Sequence, residues 1–175
     1  MLSFGLGDDI SFDEEISSRY GARVFGFDPT PASLNWIGSR GKPANMQVLP
    51  FGIAQLDGKQ TFTLPDNETR GNYSAKSIAG ASVLCDVMRY SSILELLKLR
   101  HVDVLKLDVE GSEYDVIPDI LASSVRPAQL LVEFHHRLHH INVTQTREAV
   151  RLIRRAGFSL FAVSPGGQEL SFIRL

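Results

Sequence analysis

The sequence predicts an α/β fold with one mostly parallel, twisted sheet, and two features of the chain carry this prediction. Short apolar runs alternate with amphipathic segments along most of the 175 residues, which is the pattern of repeated strand–helix–strand units. The last two apolar runs flank residues 165–168, Pro-Gly-Gly-Gln. This turn sequence predicts an antiparallel hairpin at the C-terminal end of the sheet.

Each predicted element rests on its apolar spacing and on the turn residues beside it. Apolar runs predict strands at residues 1–5, 24–27, 46–49, 60–64, 82–88, 102–107, 129–133, 158–164 and 169–174. Apolar side chains at helical spacing predict helices at residues 11–20, 31–39, 91–99, 113–122 and 144–156. The polar segment 66–80 has no period, and we expect residues 66–77 to close over a bound cofactor.

Polar residues also predict where two of the helices begin. Ser11, with Glu14 three residues later, has the pattern of a capping box in which Ser11 is the N-cap. Ser112 is the expected N-cap of the helix at 113–122, and the helix dipole favours Glu113 in its first turn. Glu113 is therefore interpreted as a helix-start residue.

Size, composition and charge exclude several classes of protein. The length suits one domain over residues 1–175. The net charge of −2 offers no basic field that would attract nucleic acid. The single cysteine, Cys85, excludes an internal disulfide and predicts a reducing compartment, the cytoplasm. No apolar run approaches the roughly 20 residues of a membrane span, and a homo-oligomer is compatible with the sequence.

A glycine-containing turn and an acidic residue predict a nucleotide-like cofactor. Gly5 and Gly7 lie between the first strand and the first helix, where a ligand approaches backbone N–H groups. Asp28 ends the second strand, where a carboxylate accepts both ribose hydroxyls. The turn has no third glycine, and Asp8 and Asp9 lie where the pyrophosphate of NAD would be repelled. S-adenosylmethionine carries no phosphate, and these carboxylates attract its sulfonium and ammonium groups.

Four ionisable residues at strand ends form the predicted catalytic group. Asp108 and Glu110 follow the apolar run 102–107, which is typical of a strand buried on both faces. Ligands bind beyond the carboxyl ends of such strands. Glu133 ends the next strand, and His135 follows it. Asp108 and Glu133 should face one crevice and raise each other's pKa, which favours a base that removes a proton from an acceptor.

A metal site is the alternative interpretation of the histidine-rich segment. The pairs His135/His139 and His136/His140 have i, i+4 spacing, which can hold a metal ion when the segment is helical. However, the segment follows a strand and lacks a helical apolar stripe. We therefore expect a polar loop with one functional histidine, His135, and no metal.

Four sequence blocks, in one order along the chain, resemble the FkbM-type methyltransferases, which use S-adenosylmethionine. The blocks are residues 3–12, 27–30, 105–113 (LKLDVEGSE) and 133–135. The resemblance implies a Rossmann-like class I methyltransferase fold. It implies cofactor contacts from Ser3, Gly5, Gly7, Asp9, Asp28, Pro29, Gly52, Ile53 and Asp108. It assigns catalysis to Asp108, Glu110, Glu133 and His135.

The activity implied by this resemblance is methylation at an oxygen of a small molecule, such as a sugar or a secondary metabolite. Ser3 departs from the family, which often has an acidic residue early in this strand. The alternative is a degenerate domain that binds a nucleotide or a protein partner without catalysis. The chain also opens almost directly in its first strand, so we expect the segment that usually precedes this strand to be missing or to lie upstream.

Overall fold

A seven-stranded sheet forms the centre of the protein. The computed structural model describes residues 1–63, 82–137 and 141–175. The strands are β1 (Leu2–Phe4), β2 (Val24–Phe27), β3 (Met46–Leu49), β4 (Gly52–Ile53), β5 (Gly58–Thr63), β6 (Ser82–Met88), β7 (Val104–Leu107), β8 (Gln129–Glu133), β9 (Phe158–Val163) and β10 (Glu169–Arg174). The helices are α1 (Ser11–Tyr20), α2 (Pro31–Arg40), α3 (Tyr90–Leu96), α4 (Glu113–Ala122) and α5 (Val143–Arg155). None of these described helices could span a lipid bilayer.

The large sheet has the predicted parallel arrangement with an antiparallel hairpin at one end. Its strand order is β3-β2-β1-β7-β8-β10-β9. The strands from β3 to β8 pair in parallel, whereas β10 pairs antiparallel with both β8 and β9. Phe4 is opposite Phe27 on one side and Leu107 on the other, and Leu107 is opposite Val132. This register brings the carboxyl ends of β1, β2, β7 and β8 to the same edge of the sheet.

The two sides of β7 are buried unequally. Leu105 and Leu107 are fully buried in the main core, to which α3, α4 and α5 also contribute. Val104 and Lys106 alternate with them and are only half-buried. The expectation that residues 102–107 are buried on both faces is therefore wrong. The physical reason is that Lys106 needs polar partners for its ammonium group, which it finds in the carbonyl of Gly5 and a carboxylate that follows β7.

Three further strands form a separate small sheet in the order β4-β6-β5. β4 pairs in parallel with β6, and β5 pairs antiparallel with β6. The sequence predicts β5 and β6, but it predicts neither β4 nor the separation from the large sheet. Strand pairing depends on neighbours that are distant in the chain, so no local pattern reveals it. The predicted lid at residues 66–77 lies outside the described residues.

The start of α1 differs from the predicted capping. Ser11 is the first residue of this helix rather than its N-cap, and its N–H donates to Asp9 Oδ1 at 2.8 Å. Glu14 forms a salt bridge to α2 instead. The predicted capping box does not form, because the short side chain of Asp9 accepts the N–H at the start of α1. A capping box does form at α5, between Asn142 and Gln145.

The turn after β1 passes directly over the end of β7. Gly5 has a positive φ of 80°, a backbone conformation that glycine adopts at little cost. A Cβ atom added at Gly5 would overlap the carbonyl oxygen of Asp108. Gly5 therefore permits both the bend of the turn and its close approach to β7.

We expect Gly5→Ala to destabilise the fold by at least about 2 kcal/mol, because it adds an unfavourable φ and a steric overlap. Gly38→Ala is the matched control, since a Cβ on this exposed glycine of α2 would meet no atom within 4 Å. That change should stabilise the helix by about 0.5–1 kcal/mol. Urea denaturation measures both. Equal stabilities of Gly5→Ala and wild type would contradict the close approach.

Candidate active site

A cleft opens along the edge where the parallel strands end. Ten of the residues predicted to form the site line this cleft: Gly5, Gly7, Asp9, Asp28, Pro29, Gly52, Ile53, Asp108, Glu110 and Glu133. These residues come from the ends of β1, β2, β7 and β8 and from β4. The alignment of the strand ends therefore places residues from distant parts of the chain around one space, as expected for the crevice of an open α/β sheet.

Asp28 fixes the turn after β1. Its Oδ2 accepts the N–H groups of Leu6 and Gly7, both at 3.0 Å. Its Oδ1 accepts the N–H and the hydroxyl of Thr30, at 2.9 and 2.7 Å. The carboxylate is buried and is satisfied by these four hydrogen bonds. Asp28 therefore organises the glycine turn, in addition to any role in binding a ligand.

An apolar wall closes the cleft on the side of the small sheet. Gly52 packs so tightly that an added Cβ would lie 3.2 Å from Pro29 and 3.4 Å from Phe62. Ile53 follows it and is buried. A flat, apolar group would find a matching surface here, which is consistent with the expected position of an adenine ring.

Ser3 is the predicted cofactor residue that lies furthest from the open space. It is fully buried, and its Oγ has no hydrogen-bond partner among the described residues. It faces Lys106 in the register of β1 and β7. Ser3 is therefore beneath the cleft, and it does not contribute to the lining.

The four predicted catalytic residues lie together around one imidazole. His135 Nε2 is 3.4 Å from Glu110 Oε2, 3.7 Å from Asp108 Oδ1 and 3.9 Å from Glu133 Oε1. The His135 side chain is only 9 % exposed, so it forms the floor below the three carboxylates that line the cleft. The histidine segment is not helical at residues 134–137, and the remaining residues of the predicted histidine pairs lie outside the described part.

Glu113 is a site residue that sequence reasoning missed. It begins α4, as predicted, but Ser112 makes no side-chain cap. Glu113 is fully buried, and its Oε1 is 2.5 Å from His135 Nδ1 and also accepts the N–H of Gly111 at 3.2 Å. An acid in the first turn of a helix is common on dipole grounds, so no local signal separates a capping acid from a buried partner.

Burial and mutual charge shift the pKa values in this cluster. Burial raises the pKa of Glu110 to about 7, with Asp108 and Glu113 adding to the shift and His135 opposing it. Burial also raises the pKa of Glu133, and Asp108 raises it further. Burial lowers the pKa of His135, but the hydrogen bond and charge of Glu113 outweigh this effect, so that the pKa is about 9. The imidazole therefore carries a proton at neutral pH and offsets part of the negative charge.

The backbone at Glu110 is strained. Its φ of 50° lies in the left-handed region, which side chains other than glycine seldom adopt, and Gly111 follows with a φ of 100°. Such conformations cost on the order of 1–3 kcal/mol and concentrate at functional sites. Here the strained turn directs Glu110 back toward His135 instead of into solvent.

We expect the buried pair of Glu113 and His135 to be strongly coupled. Glu113→Ala leaves a buried imidazole without its partner and should cost about 3–5 kcal/mol of the free energy of unfolding. The double variant with His135→Ala should cost less than the sum of the two single changes, with a coupling of about 1–3 kcal/mol.

Urea denaturation of the four proteins in this cycle measures the coupling. The control cycle uses His101 and Asp103, which pair at 2.9 Å on the surface with side chains 67 % and 77 % exposed, and we expect a much smaller coupling there. Additive effects at Glu113 and His135 would show that their contact carries no stability.

Comparison with known proteins agrees with this architecture. The family model for the methyltransferase FkbM domain matches residues 4–160. No curated protein sequence matches the chain. The crystal structure of the methyltransferase FkbM from Methylobacillus flagellatus KT superimposes with a TM-score of 0.60 at 15% sequence identity, over 99% of this chain and 42% of that chain. The present chain thus spans less than half of that protein.

A second similarity is to a structure of the complex between the Haloferax volcanii Trm112 methyltransferase activator and a methyltransferase. The TM-score is 0.42 at 14% identity, over 92% of this chain and 62% of that chain. The family match covers most of the chain, and the first superposition shows the same fold. The chain belongs to the FkbM methyltransferase domain family and has a methyltransferase fold.

Proposed function

We propose that this domain transfers a methyl group from S-adenosylmethionine to an oxygen of a small molecule, such as a sugar or a secondary metabolite. The observation that carries the proposal is the arrangement of the cleft. The cleft is lined by the glycine turn, Asp28 and the apolar wall, which we term its cofactor half, and by Glu110 and Glu133, which we term its acceptor half. Asp108 adjoins both halves, because the turn at Gly5 passes over its carbonyl oxygen. A cofactor site and an ionisable group suited to an acceptor thus share one space.

The charges of the cleft suit this cofactor. Six carboxylates and no lysine or arginine occur among the described residues that line it. Phosphate groups would be repelled by such a lining, whereas the positive sulfonium and ammonium groups of S-adenosylmethionine would be attracted. Bound in the cleft, this cofactor would supply an electrophilic methyl group.

The residues that would hold the cofactor follow from their places in the cleft. Gly5, Gly7 and Asp9 border the turn and would be beside its charged methionine end. Asp28 and Pro29 would flank the ribose, and Gly52 and Ile53 would contact the adenine. Asp108 stands between this half of the cleft and the acceptor half. These assignments are proposals drawn from the family resemblance and from the geometry. The assignment of Ser3, which lies beneath the cleft, rests on the family resemblance alone.

The acceptor half would act by orienting a hydroxyl and removing its proton. The bound cofactor would supply a methyl group to the acceptor oxygen and keep the sulfur as its leaving group, and a carboxylate of the cleft would take up the hydroxyl proton. Glu110, Asp108 and Glu133 border the open space and are placed to accept it. His135, held by Glu113, would keep these carboxylates in position, and alignment of the reacting groups supplies much of the rate enhancement.

Other features of the proposal rest on composition alone. A cytoplasmic location and the absence of a nucleic-acid partner remain predictions from the cysteine content and net charge. The cluster around His135 favours catalysis over the alternative of a domain that binds without catalysis, because ionisable groups gathered at a cleft are typical of active sites.

We expect S-adenosylmethionine and its demethylated product to bind in the micromolar range, and NAD to bind far more weakly. Asp28→Ala should weaken binding by roughly 1–3 kcal/mol, because it removes the carboxylate that accepts the N–H groups of Leu6 and Gly7 and thereby loosens the glycine turn. Asp57→Ala is the matched control, since Asp57 also accepts a backbone N–H and a hydroxyl, both at 2.7 Å, but on the surface. Isothermal titration calorimetry measures all three proteins. Unchanged affinity in Asp28→Ala would remove Asp28 from the site.

We expect Asp108→Asn and His135→Ala to lower turnover by on the order of 10²–10⁴ while changing cofactor affinity little, as for a positioned base and its support. A panel of sugar and metabolite hydroxyls, screened by mass spectrometry for the added methyl group, would first supply an acceptor. His101→Ala and Asp103→Asn are the surface controls. Wild-type rates in both site variants would favour a domain that binds without catalysis.

A further inference from the structure

One feature of the cluster around His135 is not explained by proton transfer alone. The His135 side chain is nine-tenths buried and its Nε2 faces three carboxylates, yet the carboxylate oxygens that it faces are 3.4–3.9 Å away. These separations exceed those of a good hydrogen bond between an N–H and an oxygen, about 2.7–3.2 Å. An imidazole nitrogen with several carboxylate oxygens 3.4–3.9 Å away leaves room for an ion that all of them could bind.

We propose that Asp108, Glu133 and His135 bind a divalent metal ion. Asp108 Oδ1, Glu133 Oε1 and His135 Nε2 face one another, and ligand atoms from the three residues all lie within 4.8 Å of one another. Ligands bound at about 2.1 Å to one ion lie roughly 3.0–3.4 Å apart at octahedral or tetrahedral angles. Side-chain rotations that shorten these separations by roughly 0.3–1.8 Å would therefore bring the three atoms to ligand distances.

The surroundings of His135 match those of a metal-bound histidine. Its Nδ1 is held by the buried carboxylate of Glu113 at 2.5 Å, which leaves Nε2 for the ion. Histidines that bind metals commonly donate their other ring N–H to a carboxylate, and this second contact fixes the ring and its tautomer. Glu113 would be this positioning residue rather than a ligand.

The carboxylates are also arranged to serve as ligands. Lys106 lies 3.5 Å from Asp108 Oδ2 and donates to the carbonyl oxygen of Gly5, so it occupies one side of Asp108 and leaves Oδ1 toward His135. Asp108 and Glu133 are about one-third exposed toward the cleft. An ion between them would keep open positions on the cleft side, where water or an acceptor oxygen would bind.

The chemistry of the ligands indicates the class of ion. Carboxylate oxygens suit Mg²⁺ and Mn²⁺, whereas an imidazole favours transition metals. Mn²⁺ satisfies both preferences and is the ion that we expect to bind best among these two. The site differs from the histidine pairs considered in the sequence, because it uses only His135 of that segment. If the proposed function holds, the ion would orient the acceptor oxygen, but the metal site itself does not depend on the reaction.

The test is titration of the full chain with Mn²⁺, without cofactor, and detection of free Mn²⁺ by electron paramagnetic resonance. Wild type should bind one equivalent. His135→Gln and Glu133→Gln should each raise the dissociation constant at least about tenfold, and Glu113→Gln should raise it by about tenfold through the outer contact. His101→Gln and Asp103→Asn remove a matched histidine–aspartate pair on the surface and should leave binding unchanged.

A spectroscopic measurement identifies the histidine directly. In protein labelled with ¹⁵N-histidine, pulsed electron paramagnetic resonance of bound Mn²⁺ should show coupling to one imidazole nitrogen. This measurement on wild type retains its meaning even if a site variant fails to fold. Absence of stoichiometric binding, absence of nitrogen coupling, or equal affinity in Glu133→Gln and wild type would each overturn the proposal.

The outcome is separable from that of the proposed function. Calorimetry with S-adenosylmethionine in the presence of a chelator tests the cofactor site without metal. Binding of Mn²⁺ without binding of the cofactor would support the metal site and contradict the methyltransferase proposal. The reverse result would contradict only the metal site.

Discussion

The close passage of the β1 turn over the end of β7 is the constraint on which the site depends. Only glycine at position 5 permits it, since a side chain there would overlap the Asp108 carbonyl. Asp28 holds the same turn through two backbone N–H groups, and Lys106 holds it through the Gly5 carbonyl. The close approach at Gly5 and the hydrogen bonds from Asp28 and Lys106 thus fix the turn after β1 relative to Asp108. A site that must align two reactants requires such fixed distances.

The carboxylates of the acceptor half are positioned in a different way, through buried charges that interact with one another. Glu113 is removed from water completely and compensated by His135. Replacing such a pair by apolar groups is often neutral or stabilising, whereas removing one partner is costly. The pair therefore contributes little more to the stability of the fold than apolar side chains in its place would contribute. The pair lies beside the strained residue Glu110. This combination fits a site in which a defined arrangement of ionisable groups costs some stability.

If the proposed metal ion binds, it would take the place of the proton on His135 Nε2. The carboxylates of Asp108 and Glu133 need positive charge near His135 Nε2, and a proton on the imidazole provides part of it. A divalent ion would provide more and would hold both oxygens directly. Without metal the imidazole is charged, and Glu113 contacts its Nδ1. With the proposed ion bound, the imidazole would be neutral and would keep the same contact to Glu113.

Sequence patterns predicted much of the fold because each strand and helix of the large sheet has a recognisable pattern of apolar residues. Apolar runs of strand length and helices of amphipathic spacing need only neighbours along the chain to be recognised. The proximity of four predicted site residues was predictable for a related reason: Asp108, Glu110, Glu133 and His135 follow strand ends, and parallel strands end at one edge. The separate small sheet was not predicted, because β4 has only two residues and depends on pairing with distant β6.

The sequence by itself determined the order of the elements, the turn at Gly5 and the family of the chain. Tertiary structure alone decided the role of Glu113, which local reasoning interpreted as a helix-start residue. Tertiary structure also decided that Lys106, within an apolar strand, contacts Asp108 and the Gly5 carbonyl. It decided that Asp28 accepts hydrogen bonds from the turn after β1. The physical reason is common to all three. A charged side chain takes its role from the groups that surround it once water has been removed, and those groups come from other parts of the chain.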